Sequence, residues 1–393
     1  MRRWISDLGP ALESRQQDNL YRQRLTLDTA QGPLVQLQGR EYLNFSSNDY
    51  LGLANHPEVI SAFQSAAQQY GVGAGASHLV VGHQQVHEEL ECALASFVGR
   101  ERALLFSSGY MANLGVFKAL LGKDDVIIQD KLNHASLIDG GISSGGQFLR
   151  YRHNDLDHLE QLLNKPAIAD QKIRKILAVD GVFSMDGDIA PLDSLADICD
   201  SHNIALMVDD AHGFGVVGER GAGCSEHFSL DQQRLPIVMG TLGKAFGVAG
   251  AFVAGSHEMI ETLIQYSRTY IYTTAIPPAC AAAALQSLNI IKTQPQRGEH
   301  LQALIGYFRA AVNDLNFDVL PSSTAIQPLI VGDSKKALAL SQALMDAGLL
   351  VSAIRPPTVP AGTARLRITL TAAHSFAHID QLINVLRQHQ SRL

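Results

Sequence analysis

Between residues 46 and 275, short apolar runs alternate with stretches of helical periodicity. This alternation constrains the fold more than any other feature of the chain. The runs are Ala103–Phe106, Val126–Gln129, Ile176–Val179, Ala205–Val208, Ile237–Met239 and Gly250–Ala254, with helical stretches such as Leu192–His202 between them. Strand–helix alternation predicts an α/β fold built on a mainly parallel, doubly wound sheet flanked by helices. Such sheets hold ligands beyond the carboxyl ends of their strands. Function is therefore expected where these runs stop, and Ser184, Asp209 and Lys244 all fall just after apolar runs.

A length of 393 residues suggests two or three domains. Residues 46–289 are expected to form the large domain. Residues 290–393 carry their own pattern, with a strand at Ala325–Val331, a helix ending at Ala347, a strand at Thr363–Leu370 and a final helix. They are expected to form a smaller C-terminal α/β domain. Residues 1–45 read as an N-terminal arm, a charged amphipathic helix followed by a hairpin-like piece around Gly32-Pro33 and Gly39.

Charged residues make up 18% of the chain, below the usual quarter or so. Extensive buried surface, including a subunit interface, accounts for such a deficit. The net charge is −7 and no run of Lys or Arg stands out, which argues against nucleic acid as a partner. Cys92, Cys199, Cys224 and Cys280 are scattered and lack metal-ligand spacing, as expected in a reduced cytoplasmic setting. Met1 to Asp7 shows no apolar core of signal-peptide length. Ala279–Leu285 is apolar but far too short to span a bilayer.

Lys244 lies in a Gly-rich turn after the run Ile237–Met239, and Asp209 ends the run Leu206–Val208. A reactive lysine opposite an aspartate is the pair that pyridoxal 5'-phosphate (PLP) requires. The lysine forms a Schiff base, and the carboxylate keeps the pyridine nitrogen protonated so that the ring accepts electrons. A phosphate-binding P-loop is the competing reading of Gly243-Lys244, but Val238 and Ala245 stand where glycine and Ser or Thr are needed. Neighbouring strand residues face opposite ways, so of Asp209 and Asp210 only one is expected to face a ligand, and Asp209 is the one expected to do so. His212, three residues on, is placed to bond the cofactor's phenolic oxygen.

Ser107-Ser108-Gly109-Tyr110 reads as a strand-to-helix turn whose backbone N–H groups suit a phosphate, and Thr241 adds a hydroxyl. His134, after the Val126–Gln129 run, is a candidate to stack on the cofactor ring. Tyr70–His78 is glycine-rich but misses dinucleotide spacing at Ala76 and His78, and reads as a flexible substrate-side loop. His83 and His87, four apart on one helix, have metal-ligand spacing but no third ligand in view, so no metal is expected. Arg365 and Arg367 share a strand face, where an arginine suits a substrate carboxylate.

Together these residues resemble the α-oxoamine synthases, PLP-dependent transferases of the aspartate-aminotransferase fold, fold type I. The resemblance covers nearly the whole chain. Its carriers are Tyr42–Leu53, Asn133–Ser136, Gly181–Asp188, Val208–Gly213, the lysine turn and Ile354–Thr363. The last segment is more similar to an alanine-using member than to the glycine-using ones. The resemblance implies that Lys244 holds PLP and later moves the α-proton, that Asp209 pairs with the pyridinium and that His134 stacks on the ring. It implies that His212 and Ser184 contact the phenolic oxygen region. Gly109, Tyr110 and Thr241 would hold the phosphate region, with Thr273 or Thr274 reaching in from a second subunit of a homodimer. Arg367 would clamp the amino-acid carboxylate near Asn48, and Arg22 and Thr358 would contact the acyl substrate. The implied reaction is a decarboxylative condensation of L-alanine with a pimeloyl thioester of coenzyme A or an acyl carrier protein. Two positions depart from the family pattern: Asp180 stands where Glu is usual, and Ala76 replaces a common glycine.

Overall fold

A computed structural model describes residues 3–6, 8–170, 172–315 and 317–389. It divides into two compact units. The larger comprises residues 49–184 and 188–299. Its centre is a seven-stranded sheet, in the order Arg102–Phe106, Ala251–Gly255, Ile237–Thr241, Ala205–Asp209, Lys175–Asp180, Val126–Asp130, Gln147–Tyr151. From Ile237–Thr241 to Gln147–Tyr151 every pairing is parallel, whereas Ala251–Gly255 runs antiparallel to both its neighbours.

The expected strands are present, five of them extended by a residue or two and Gly250–Ala254 shifted by one to Ala251–Gly255. The central ones are buried along their whole length, and both faces are covered. On one face Leu104, Phe106, Ile127, Ala178, Met207 and Val253 pack with Val116 and Phe117 of the helix Gly109–Leu120 and with Leu263 of His257–Tyr266. The alternate residues Leu105, Ile128, Leu177, Val208 and Phe252 point to the other face and are equally buried. Strands covered on both faces read as unbroken apolar runs, and this is why they stood out in the sequence. Gln147–Tyr151 is an edge strand with an exposed Gln147 and Arg150, so it has no apolar run to announce it.

Three neighbouring strands end in an aspartate: Asp130, Asp180 and Asp209. Asp180 and Asp209 are register partners. The carboxyl edge of the sheet therefore gathers three carboxyl groups at one place.

The smaller unit comprises residues 1–48, 185–187 and 300–393. Its four-stranded antiparallel sheet has the order Asp318–Val319, Ile326–Gly332, Ala364–Thr369, Ser352–Ile354. The helices Ser334–Asp346 and Phe376–His389 belong to the same unit. The hairpin Leu34–Leu37 with Arg40–Asn44 gains a third, parallel strand from Leu349–Leu350. The arm thus shares a compact unit with the C-terminal segment, and Val35, Leu37 and Tyr42 pack with Leu27, Met345 and Leu350. The helix Gly9–Gln17 near the start has no buried residue. Among the described residues no helix is long and apolar enough to cross a membrane.

Candidate active site

The strand Ile237–Thr241 runs into the turn that carries Lys244. Gly247 N donates to Lys244 O at 2.8 Å and Val248 N to Leu242 O at 2.9 Å. Gly247 has φ +69°, and a Cβ there would lie 2.3 Å from Ala54 N, so a side chain does not fit. Lys244 is half-buried. Its Nζ lies 2.9 Å from His212 Nε2, and His212 Nδ1 lies 2.6 Å from Tyr50 Oη. Tyr50, His212 and Lys244 form one hydrogen-bonded row.

Asp209 ends its strand facing the same space. Its Oδ2 accepts from Asn113 Nδ2 at 2.7 Å and its Oδ1 from Ala211 N at 3.1 Å. Asp210 turns the other way, and its Oδ2 accepts from Cys224 N at 2.7 Å. Burial raises the Asp210 pKa to about 7.

Ser108 caps the helix Gly109–Leu120 by accepting from Met111 N at 3.3 Å. The first N–H groups of a helix have no partner inside it, which makes this end an anion site. Tyr110 donates its hydroxyl to Asp139. Thr241 Oγ1 donates to Gly250 O at 3.1 Å.

His134 caps the helix Ala135–Ser144. Its Nδ1 accepts from Ser136 N at 3.3 Å and lies 2.7 Å from Ser136 Oγ. Burial lowers the His134 pKa, the nearby Lys244 acts in the same sense, and Asp209 opposes them. The ring is therefore neutral at pH 7, with Nδ1 as an acceptor. His134 N donates to Asp180 Oδ2 at 2.9 Å. Asp180 is buried beside Asp209, and desolvation first, then that neighbouring charge, raise its pKa well above the carboxylate range. Its Oδ1 has no hydrogen-bond partner.

These groups line one cavity of about 220 Å³. Gly109, Tyr110 and Thr241 line it, as do His134, Asp180, Asp209, His212 and Lys244. Ser184 is half-buried and lies two residues beyond the lining residue Val182. Thr273 and the exposed Thr274 are not among its lining residues, and Thr274 bridges to Ser77.

The smaller unit brings two predicted pairs together. Arg367, buried on Ala364–Thr369, donates from Nη1 to Asn48 Oδ1 at 3.0 Å and to Thr369 Oγ1 at 3.1 Å. Arg22 Nη2 donates to Thr358 Oγ1 at 3.3 Å. Arg365, the other arginine of that strand face, pairs with Asp186 at 2.7 Å.

A family model described as aminotransferase class I and II matches residues 40–386. The chain belongs to this family. Among curated relatives, 8-amino-7-oxononanoate synthase of Hahella chejuensis is 55% identical over 390 residues, covering 99% of this chain and 97% of the relative. The protein of the same name from Cellvibrio japonicus is 56% identical over 379 residues, covering 96% and 94%. Among solved structures, a variant serine palmitoyltransferase from S. paucimobilis with a bound PLP–myriocin aldimine superposes with a TM-score of 0.93 at 30% identity, covering 99% of this chain and 98% of that one. An 8-amino-7-oxononanoate synthase from Francisella tularensis superposes with a TM-score of 0.78 at 31% identity, covering 89% of this chain and 98% of that one.

The cavity's donor set fits PLP. It offers a helix N-terminus and a hydroxyl for a phosphate, a buried carboxylate for a ring nitrogen, an imidazole for a phenolic oxygen and an amine for an aldehyde. Tyr50 and Ser136 lie within segments that carry the resemblance, and Asn113 on the helix Gly109–Leu120, but the sequence assigned none of them a role. Each supports a predicted residue through one hydrogen bond.

The structure also adds a third histidine to the pair that the sequence left without one. His78, His83 and His87 place ring nitrogens within 4.8 Å of one another. His87 Nδ1 accepts from Gln84 N and its Nε2 donates to Ile276 O, both at 2.9 Å, and His78 and His83 bond each other at 2.8 Å.

Proposed function

We propose that this chain condenses L-alanine with a pimeloyl thioester, releasing CO2 and the free thiol carrier, to form 8-amino-7-oxononanoate for biotin biosynthesis. The observation that carries the reading is Lys244 Nζ held 2.9 Å from His212 Nε2 in a cavity shared with Asp209. Relatives more than half identical over nearly the whole chain bear the name of that product.

PLP, when bound, supplies an electron sink for negative charge at the α-carbon of an amino acid. The N–H groups at Gly109 and Tyr110, with the Thr241 hydroxyl, would hold its phosphate, and Asp209 its ring nitrogen. His134 would lie against the ring, and its neutral state keeps a second positive charge away from the ring nitrogen. His212 and Ser184 would take the phenolic oxygen.

Lys244 is the proton carrier at Nζ, taking the α-proton of alanine and returning one to the product. His212 sets where that amine rests between transfers. When His212 accepts from Lys244 at Nε2, its neutral ring carries hydrogen on Nδ1 and donates it to Tyr50. Arg367 binds the alanine carboxylate, with Asn48 fixing its guanidinium. Arg22 and Thr358 contact the acyl chain. A homodimer, in which Thr273 or Thr274 completes the partner's phosphate site, works in the cytoplasm.

The test is product analysis. The purified protein, reconstituted with PLP, is given pimeloyl-coenzyme A or a pimeloyl-acyl carrier protein with alanine or glycine. Formation of 8-amino-7-oxononanoate and CO2 from alanine supports the reading. Turnover with glycine alone would make the protein a sister enzyme, of the glycine C-acetyltransferase or 5-aminolevulinate synthase kind.

A further inference from the structure

We propose that His153 is a positioning residue for this reaction, an imidazolium clamped between Asp130 and Asp188 that fixes together the loop carrying His134 and the loop carrying Ser184. The proposal rests on the reading above for what those two residues do.

The geometry defines the clamp. His153 Nδ1 lies 3.1 Å from Asp130 Oδ1, and its Nε2 lies 3.0 Å from Asp188 Oδ2. An ionised carboxylate only accepts hydrogen bonds, so both ring nitrogens must carry hydrogen and the ring is charged. Burial alone would push the ring towards neutrality, but hydrogen bonds to the two carboxylates and their charge outweigh it and raise its pKa to about 10. The His153 and Phe183 rings pack edge to face, with centroids 4.4 Å apart and planes at 87°. The next residue, Asn154, at φ +50°, donates from N to Asp130 Oδ2 and from Nδ2 to Asp188 Oδ2, both at 2.8 Å.

From Asp130 the order runs to His134. Asp130 Oδ1 accepts from Leu132 N at 2.8 Å. Asn133 donates from Nδ2 to Ala178 O at 2.8 Å and accepts from Asp180 N at 3.1 Å. His134 N then donates to Asp180 Oδ2 at 2.9 Å. From Asp188 the order runs to Ser184. Phe183 N donates to Asp188 O at 3.0 Å, Val182 bridges to Ile189, and Ser184 follows Phe183. One side chain that lines no part of the cavity thus ties down two loops that serve it. Asp130 is fully buried, so its charge needs a cation there, and His153 supplies it.

The charge is tested in the PLP-free protein by nitrogen-15 NMR of labelled histidine. A doubly protonated His153 at pH 8 is expected, and a neutral ring at pH 8 would overturn the clamp. The positioning is tested by PLP titration of His153→Gln, Ser184→Ala and the double variant. The expected result is at least tenfold weaker PLP binding for His153→Gln, and a Ser184→Ala effect that shrinks severalfold in that background. A merely structural His153 would lower the melting temperature, leave PLP affinity within twofold and give additive effects, and that outcome overturns the proposal. If His153→Gln does not fold, Asp188→Ala keeps the buried Asp130–His153 pair and releases only the Ser184 side. Weaker PLP binding is expected there too, and wild-type affinity contradicts it. Failure of the wild-type protein to bind PLP would instead refute the reading of the site itself.

Discussion

Asn113 donates from Nδ2 to Asp209 Oδ2 at 2.7 Å and to Ser136 Oγ at 2.8 Å, joining the helix after one strand to the end of another 96 residues away. The bond orients the carboxylate on which the proposed chemistry depends. In Asn113→Leu, a buried carboxylate oxygen loses its donor, a cost of about 1–3 kcal/mol. PLP affinity is expected to fall by roughly ten- to a hundredfold, read by titration of the PLP-free protein. Affinity within twofold of wild type would show that Asp209 is held without Asn113.

Tyr50 acts one bond further out. Tyr50→Phe removes its contact with His212 Nδ1 and leaves the imidazole to settle differently against Lys244. A net hydrogen bond is worth about 1 kcal/mol, or roughly fivefold. A fall of about that size in kcat is expected, with the KM for alanine unchanged. A rise in KM with constant kcat would place Tyr50 in substrate binding instead.

Much of the site was legible because its main residues sit where apolar runs stop. Lys244, Asp209 and His134 each follow a strand buried on both faces, and such strands announce themselves by composition alone. The supporting residues carry no such signal. Tyr50 reaches His212 across 162 residues, and Asn113 reaches Asp209 across 96. Packing of helix on sheet makes neighbours of Asn113 and Asp209, and Tyr50 meets His212 from one turn to another. His78 escaped notice as a neighbour of His83 and His87 because a turn of irregular helix, His78–Gly82, brings it round to them. The edge strand Gln147–Tyr151 escaped for the opposite reason to the central strands, having a polar face in solvent.

Buried histidines predict how stability depends on pH. Burial is the chief cause that holds His78 near a pKa of about 3 and His374 near about 4, and it lowers His87 and His134 as well. The unfolded chain takes up these protons near pH 6.5, and the folded chain does not. Their contribution is therefore complete above pH 6.5 and is lost as pH falls from there towards the folded values. His153, raised to about 10, has the opposite sign: its contribution is complete below pH 6.5 and is lost as pH rises through 10. Between pH 6.5 and 4 these histidines lower the denaturant midpoint while the raised carboxyls of Asp180 and Asp210 act the other way, and His374→Gln should remove one histidine's share, so that its midpoint rises relative to wild type as pH falls through this window. Parallel pH curves for variant and wild type would contradict this.

Within the smaller unit, Arg365 pairs with Asp186 and has only 4% of its side chain exposed. Asp186→Ala leaves a buried guanidinium without its carboxylate, and breaking such a pair costs about 3–5 kcal/mol. The double variant Arg365→Leu/Asp186→Leu is expected to lose less than the single one, because no charge remains buried. Additive losses in chemical denaturation would show that the pair is not coupled.

Lys244 is the residue proposed to hold PLP. Borohydride reduction of the PLP-loaded protein, followed by peptide mass mapping, reads this directly. One PLP adduct per chain is expected, on the peptide containing Lys244, with neither adduct nor turnover in Lys244→Ala. An adduct on another lysine, or full turnover by Lys244→Ala, would contradict it.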